Sequence, residues 1–341
     1  MLSCGKFEIL RSNRSIWRTA LIALTLCLGA PAGAQTFEEV LEKAEQNDAE
    51  AQFHLGVMYS NGQGVMKNEV EAVEWFRKAA DQGEAGAQYS LGRMYFEGQG
   101  VVKNEAEAAK WFYQSAKQGF ARAQHNLGWA YANGRGVARD DTEALKWTLR
   151  AANQGFVRAQ HNLGWMYANG RGAVKNEAEA VKWYRKAADQ GDAEAQYFLG
   201  NMYFEGRGVM KNEAERVKWH RKAASQGFVP AYSSLGMHYY QGLGVTLNYA
   251  EAANWYRKAA DLGNAPAQSI LGQMYAEGRG VEQNYATAYM WMSLAVSQLD
   301  PADPLNSDDV RFRDDLARKM SKSQIAKARQ AARDWENQHA R

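Results

Sequence analysis

The chain repeats itself every 36 residues, and this period limits its possible folds more than any other feature. A leucine–glycine pair, a tyrosine, a G-x-G sequence and a tryptophan each recur seven times at that spacing, with no insertion. Periods of about 20 to 50 residues are typical of proteins that stack one supersecondary unit many times. We therefore predict seven units within residues 48–299, at 48–83, 84–119, 120–155, 156–191, 192–227, 228–263 and 264–299.

The first half of each unit is predicted to be a helix. In the first unit Ala51, Leu55 and Met58 fall on one face, because they stand four and then three residues apart. Gly56 lies inside this helix, where glycine costs about 1 kcal/mol relative to alanine. Because every unit keeps this glycine, we expect a neighbouring helix to approach closely there. The G-x-G sequence that follows is expected to end the helix, since glycine readily adopts the left-handed conformation of a C-cap.

The second half of each unit is predicted to be another helix, which begins after Asn68 in the first unit. Asn68 and Glu71 have the spacing of a capping box, in which each side chain binds a backbone N–H near the helix start. Ala72, Trp75 and Ala79 then form the stripe that we expect to be buried. Equivalent capping pairs are Asn104/Glu107, Asp140/Glu143, Asn176/Glu179, Asn212/Glu215 and Asn248/Glu251.

The repeated letters, A-x-A-Q-x-x-L-G-x-M-Y-x-x-G-x-G-V-x-K-N-x-x-E-A-x-x-W-x-R-K-A-A-x-Q-G, closely resemble the Sel1-like repeat family, relatives of the tetratricopeptide repeats. The resemblance covers about three quarters of the chain. It implies an all-α fold, a right-handed α-α superhelical solenoid that serves as a scaffold or adaptor for protein partners. Some cysteine-rich members are linked to penicillin binding or β-lactam hydrolysis, but the two cysteines here, Cys4 and Cys27, lie outside the repeats.

Both ends of the chain depart from the repeat. Residues 1–34 have the pattern of a secretory signal peptide, with four basic residues, an apolar run at 20–30 and a small-residue cleavage site at 32–34. We therefore expect a bacterial protein that is periplasmic or secreted and that starts near Gln35. Residues 35–47 are predicted to form an N-terminal capping helix. Residues 300–341 are predicted to form a C-terminal cap with a linker at Pro301 and Pro304 and helices at about 307–320 and 322–337.

The charge balance changes when the predicted signal peptide is removed. It takes four of the 41 Lys and Arg residues and one of the 38 Asp and Glu residues, which leaves 37 of each. A neutral chain does not favour a nucleic-acid partner. Both cysteines leave as well, so no disulfide, thiolate nucleophile or cysteine metal ligand is expected. We further expect no cofactor, contact with a membrane only during export, and a monomer.

Two nearly identical stretches, HNLGWAYANGRGV at 125–137 and HNLGWMYANGRGA at 161–173, raise the question of a duplicated chemical site. Their G-x-G lacks the third glycine of a dinucleotide fingerprint and the Lys-Ser or Lys-Thr of a P-loop. No third metal ligand accompanies His125 and His161, and neither G-x-S-x-G nor H-E-x-x-H occurs in the chain. We therefore predict no phosphate site, no metal site and no catalytic residue.

The positions that differ between repeats are the candidates for recognising a partner. Those of His125, Trp129 and Ala132 share one face of the first helix. In related helical repeats the first helices line the concave surface, so we predict a groove, centred on repeats 2 to 5, that binds a protein or peptide. Its predicted residues are Tyr89, Arg93, Phe96, His125, Asn126, Trp129, His161, Asn162, Trp165, Tyr197, Asn201 and Phe204.

Three alternatives stay open at this point. The aromatic side chains of the predicted groove could instead cover neighbouring repeats. The protein could be an envelope enzyme or enzyme subunit, either penicillin-recognising or associated with peptidoglycan. It could also be a host-directed factor that binds a surface glycoprotein. The adaptor itself could act in envelope regulation or in host interaction.

Overall fold

The computed structural model describes residues 36–298 and 307–339. Within these residues the chain forms seventeen α-helices and no strand. None of these helices is both long and apolar enough to cross a membrane. The predicted signal peptide at 1–34 and the predicted linker at Pro301 and Pro304 lie outside the described residues.

Each repeat contributes two helices of 13 residues joined by a short loop. The first helices of the seven repeats are the even-numbered α2 to α14, and the second helices are the odd-numbered α3 to α15. The helices are α1 (Phe37–Glu45), α2 (Ala49–Asn61), α3 (Glu69–Asp81), α4 (Ala85–Glu97), α5 (Glu105–Lys117), α6 (Ala121–Asn133), α7 (Asp141–Asn153), α8 (Val157–Asn169), α9 (Glu177–Asp189), α10 (Ala193–Glu205), α11 (Glu213–Ser225), α12 (Val229–Gln241), α13 (Tyr249–Asp261), α14 (Ala265–Glu277), α15 (Tyr285–Ser297), α16 (Ser307–Arg318) and α17 (Lys322–His339).

The helices form two compact units. One contains the described residues up to Ala159 together with Arg171–Ala173, and the other contains Gln160–Gly170 together with the described residues from Val174 onward. Within each unit consecutive helices pack against each other, as in an α-solenoid. The all-α repeat fold predicted from the period is therefore confirmed. The right-handed sense of the solenoid stays a prediction.

The repeated apolar letters form the core of each unit. Leu55 and its equivalents in the other repeats are almost completely buried, and so are the alanines and Trp75 of the predicted stripe. The close approach expected at the mid-helix glycine is also confirmed. A Cβ atom on Gly56 would lie 2.6 Å from the ring of Phe76, which comes from the second helix of the same repeat.

The two glycines of the loop have different roles. Gly134 caps α6 with a φ of 66°, in the left-handed region that favours glycine. A Cβ atom on Gly136 would collide with the backbone carbonyl of Glu105, at the start of the preceding second helix. The second glycine is therefore needed because the loop touches the backbone of the preceding repeat.

The capping interactions differ in part from the prediction. The Asn104 side chain accepts a hydrogen bond from the Glu107 N–H at 3.1 Å, as expected. The reciprocal bond expected from the glutamate is wrong here, because the Asn104 N–H already donates to the Tyr95 carbonyl at 2.8 Å. The Glu107 carboxylate instead accepts from Lys110. The same arrangement replaces the expected box at Asp140/Glu143, Asn176/Glu179 and Asn212/Glu215.

Buried glutamines join successive helices by a ladder of polar contacts. Gln88 donates from its side chain to the Ala80 carbonyl at 3.1 Å, and its own side-chain oxygen accepts from Gln118 at 2.9 Å. Equivalent pairs are Gln52/Gln82, Gln124/Gln154, Gln160/Gln190, Gln196/Gln226 and Gln268/Gln298.

The terminal helices pack against the first and last repeats. Helix α1 begins with a complete capping box between Thr36 and Glu39 and buries Phe37 and Val40 with the core of repeat 1. At the other end α16 and α17 pack on α15. Ala328 of α17 is buried there, and Arg329 donates to the Tyr289 hydroxyl at 3.1 Å.

Candidate functional site

Four of the predicted binding residues, Phe96, His125, Asn126 and Trp129, line one pocket of about 320 Å³. We call it the Trp129 pocket. It lies between repeats 2 and 3 and belongs wholly to the first compact unit. Its other lining residues are Glu105, Ala108, Ala109, Phe112, Ala130, Arg135 and Arg158.

The helices of two repeats supply the apolar walls of the pocket. Ala108, Ala109 and Phe112 come from α5, where they are buried. Trp129 comes from α6 and stays 40% exposed. Its indole ring meets the Phe96 ring edge-on, with the centroids 5.6 Å apart. This is a favoured geometry for two aromatic side chains, so the two rings hold each other in place.

Asn126 lines the pocket at a position where repeat 5 has an aromatic ring. In repeat 5, in the second compact unit, Phe198 holds the equivalent position and stacks on Tyr184 with a centroid distance of 5.6 Å. The equivalent of Tyr184 in the pocket is Phe112. Asn126 has no ring to place over Phe112, so the space that Phe198 fills in repeat 5 stays open here.

An ion pair borders the pocket. The Nε atom of Arg135 lies 2.7 Å from Oε2 of Glu105, and a second guanidinium nitrogen binds Oε1. The Arg135 hydrogen bond, together with the charge of Lys103, lowers the pKa of Glu105 to about 2. The Arg135 guanidinium also lies 5.9 Å from the ring centroids of both Phe96 and Trp129. The arginine is thus fixed at the edge of the aromatic wall.

His125 is neutral at pH 7. Burial, and after it the charge of Arg158, lowers its pKa to about 4. Its Nδ1 atom is buried without a hydrogen-bond partner, and its ring packs against Phe156 with a centroid distance of 5.1 Å. The imidazole therefore adds a polar but uncharged wall to the pocket.

The second HNLGW stretch lies in a different environment, although its letters are nearly the same. Nδ1 of His161 lies 3.0 Å from Oδ1 of Asp192, and its ring meets the rings of Tyr184 and Phe198 edge-on. Trp165 keeps 39% exposure, close to that of Trp129. The repeated sequence therefore gives two similarly exposed tryptophans but two different histidine environments.

The other predicted binding residues are not all gathered at one place. Tyr89 packs between Phe112 and Phe120 in the first unit, and Arg93 forms an exposed ion pair with Glu97 at 3.0 Å. In the second unit Tyr197 stacks on His220, and Phe204 lies beneath the Arg216 guanidinium. Half-buried positions are also occupied by Asn162 and Asn201.

The charged part of the pocket was not predicted. Neither Arg135 nor Glu105 is among the residues predicted to bind a partner. The signal was present in the spacing, because the loop arginine and the first acidic residue of the preceding second helix stand 30 residues apart. The same ion pair joins Arg171 to Asp141 in the first unit and Arg207 to Glu177 in the second.

Metal chemistry finds no support in the described part of the chain, where no group of three His, Cys, Asp or Glu residues could hold an ion. A buried histidine pair does occur in the second unit. Nδ1 of His220 lies 3.2 Å from Nε2 of His238, and both side chains are fully buried. No third ligand is present there.

Comparisons with known proteins agree with the repeat pattern. The Sel1 repeat family model matches seven consecutive segments, at 49–84, 85–120, 121–156, 157–192, 193–228, 229–264 and 265–298.

Two solved structures are similar to this chain. A Sel1 repeat protein from Oxalobacter formigenes is 30% identical over 91% of this chain and 90% of that chain, with a TM-score of 0.66. A protective antigen of uropathogenic Escherichia coli strains, described as displaying an SLR fold, is 28% identical over 97% of this chain and 86% of that chain, with a TM-score of 0.44. No curated protein matches the sequence.

Proposed function

Because the chain belongs to the Sel1 repeat family, we propose that it is an adaptor that binds a protein or peptide partner noncovalently through the exposed face of its first helices. Repeat solenoids of this type generally mediate protein interactions through extended surfaces. The observation that carries the proposal is the Trp129 pocket, in which an exposed tryptophan stands beside a preformed aromatic cavity. Tryptophan and arginine at such a cavity are typical of the residues that dominate binding energy at protein interfaces.

Export is part of this proposal. Residues 1–34 have the features of a signal peptide, so the adaptor would act in the periplasm or outside the cell. We expect the exported protein to begin near Gln35, which mass spectrometry of the purified protein would test. An intact N-terminus on the exported protein would contradict this part.

The binding experiment uses two matched pairs of exposed side chains. The protein is immobilised and exposed to an envelope extract of its source organism, as wild type and as the double variant Trp129→Ala/Trp165→Ala. The control is Met66→Ala/Met210→Ala, at residues that are 74% and 87% exposed on the loops that join the two helices of repeats 1 and 5. We expect the tryptophan variant to lose the captured partner and the methionine variant to keep it.

The same three proteins also distinguish the adaptor proposal from the enzyme alternative. We expect the purified partner to bind the wild type reversibly with unchanged mass. Hydrolysis of a chromogenic β-lactam or of peptidoglycan fragments by the wild type would favour the enzyme alternative. Equal capture by all three proteins would contradict the proposed binding face.

A further inference from the structure

We infer that the Trp129 pocket takes an aromatic side chain from an acidic peptide segment, an assignment that rests on the proposed adaptor function. Its apolar part is built from rings and small side chains. Phe96, Phe112 and Trp129 supply the rings, and alanines of α5 and α6 supply the rest of the apolar surface. A volume of about 320 Å³ accommodates one large side chain together with part of the peptide backbone that carries it.

The pocket already shows which kind of group fits it. Phe198 fills the equivalent space in repeat 5 by stacking its ring on Tyr184. An aromatic ring from a partner would make the same contact with Phe112, supplied from outside instead of from α6. Phe198 is thus an example, within the same chain, of an aromatic ring that fits this kind of space.

The charges around the pocket favour an acidic segment. Two cations, Arg135 and Arg158, and one carboxylate, Glu105, line the pocket, and Lys103 lies 3.4 Å from that carboxylate. Glu105 binds both Lys103 and Arg135, and its single negative charge balances only one of them. Glu105 is the one carboxylate among the residues that line the pocket, and His125 adds no charge because burial keeps it neutral. The surroundings are thus positive, which attracts carboxylates and disfavours a basic segment.

The decisive variant closes the pocket with the side chain that repeat 5 already uses. Asn126→Phe places a phenyl ring over Phe112, as Phe198 lies over Tyr184. The matched control is Ser90→Phe, which makes the same kind of change at the same position of repeat 2, outside the pocket. Circular dichroism and thermal melting of both variants show whether the fold is retained.

The probe is a fluorescein-labelled pentapeptide with a central phenylalanine flanked by aspartate and glutamate. Its binding is measured by fluorescence anisotropy. We expect wild type and Ser90→Phe to bind it equally, and Asn126→Phe to bind it at least tenfold more weakly. A peptide with alanine at the centre should bind the wild type as weakly as the phenylalanine peptide binds Asn126→Phe.

A second arm tests the charge. Arg158→Glu introduces the residue that repeat 5 has at this position, Glu194. We expect it to remove the preference of the wild type for the acidic peptide over one flanked by lysines. Added salt should weaken binding of the acidic peptide to the wild type but not to Arg158→Glu, since salt screens exposed charges.

The outcomes separate this inference from the adaptor proposal. If Asn126→Phe binds the acidic peptide as well as the wild type, or if the central ring makes no difference, the pocket assignment is overturned. If the lysine-flanked peptide binds as well as the acidic one or better, the acidic class is wrong. In either case, capture of the envelope partner by Asn126→Phe would leave the adaptor function standing. If only Trp129→Ala/Trp165→Ala loses capture, the partner binds the exposed tryptophans without filling the pocket.

Discussion

The Nδ1 atom of His220 lies 3.2 Å from the Nε2 atom of His238 inside the second compact unit. The Nδ1 of His238 faces the Leu243 carbonyl at 3.0 Å, which fixes its proton on that nitrogen. Its Nε2 therefore accepts a hydrogen bond from Nδ1–H of His220, and protonation of His238 would remove that acceptor. Burial, together with the charge of buried Arg216, lowers the pKa of His220 to about 3 and that of His238 to about 4.

This pair should make the second unit acid-sensitive. An unfolded histidine binds a proton with a pKa near 6.5, well above the folded values, so the unfolded state takes up more protons below that pH. The stabilising contribution is complete above pH 6.5 and is lost as the pH falls toward 4. We expect a loss on the order of 2 kcal/mol for each ring between pH 7 and pH 5. Urea unfolding at a series of pH values measures it.

The next repeat supplies the matched control for this prediction. Tyr256 and Met274 stand where His220 and His238 stand one period earlier, and both are buried. We expect His220→Tyr/His238→Met to flatten the dependence of unfolding free energy on pH between 7 and 5. An unchanged slope in this variant would assign the acid sensitivity to other groups.

Gly56→Ala should destabilise the first unit. The added Cβ atom would lie 2.6 Å from the Phe76 ring, so the ring or the helix must move. Overpacking of this kind costs about 1 to 3 kcal/mol, partly offset by the better helix propensity of alanine. Urea unfolding would show the loss, and adding Phe76→Leu should make the two changes less than additive. Strict additivity would mean that the ring is not what excludes the methyl group.

Gln88→Ala should also destabilise the first unit, for a polar reason. It removes the hydrogen bond to the buried Ala80 carbonyl and the one from Gln118, although Ala80 still accepts from the Gly83 N–H and Gln118 still donates to the Gly83 carbonyl. Each lost hydrogen bond costs about 0.5 to 1.5 kcal/mol. Repeat 6 has Tyr232 and Leu262 at these two positions, so Gln88→Tyr/Gln118→Leu should recover most of the unfolding free energy. No recovery would show that the ladder cannot be replaced as a pair.

Removal of residues 322–341 should expose the last repeat. Helix α17 buries Ala328 and Ala332 and places Trp335 edge-on to Trp291, with ring centroids 6.3 Å apart. Without it, apolar side chains of α15 face solvent. We expect faster chymotryptic cleavage within residues 285–297, whereas a chain that lacks only residues 340–341 should be cleaved like the full-length protein. Equal rates in both chains would contradict a covering role for α17.

The 36-residue period was enough to predict the helix pairs and the close contact at Gly56, because both depend on letters that every repeat shares. The environments of His125 and His161 could not be predicted in this way. Each ring faces a residue 31 positions later, Phe156 in one case and Asp192 in the other. Two nearly identical helix sequences thus receive different neighbours from the next repeat.

The Trp129 pocket escaped prediction for a related reason. The exchange of Asn126 for Phe198 opens or fills a space only because a ring lies beneath each residue. Those rings, Phe112 and Tyr184, come from the preceding helix. The glutamate half of the capping box was predicted wrongly because the tyrosine carbonyl of the same repeat already accepts from the N–H in question. Both cases involve contacts that a single helix sequence does not contain.

The 30-residue separation of Arg135 from Glu105, and of Gln154 from Gln124, is shorter than one period. Excision or duplication of 36 residues therefore joins each such side chain to an equivalent partner, so the number of repeats can change by recombination without a new contact having to evolve. The near-identical stretches at 125–137 and 161–173 are the segments most suited to such an exchange. The pocket does not copy in this way, because no other two successive repeats combine the equivalents of Phe96 and Asn126 as phenylalanine and asparagine. The number of repeats can thus change easily during evolution, whereas such a change does not produce a second copy of the pocket.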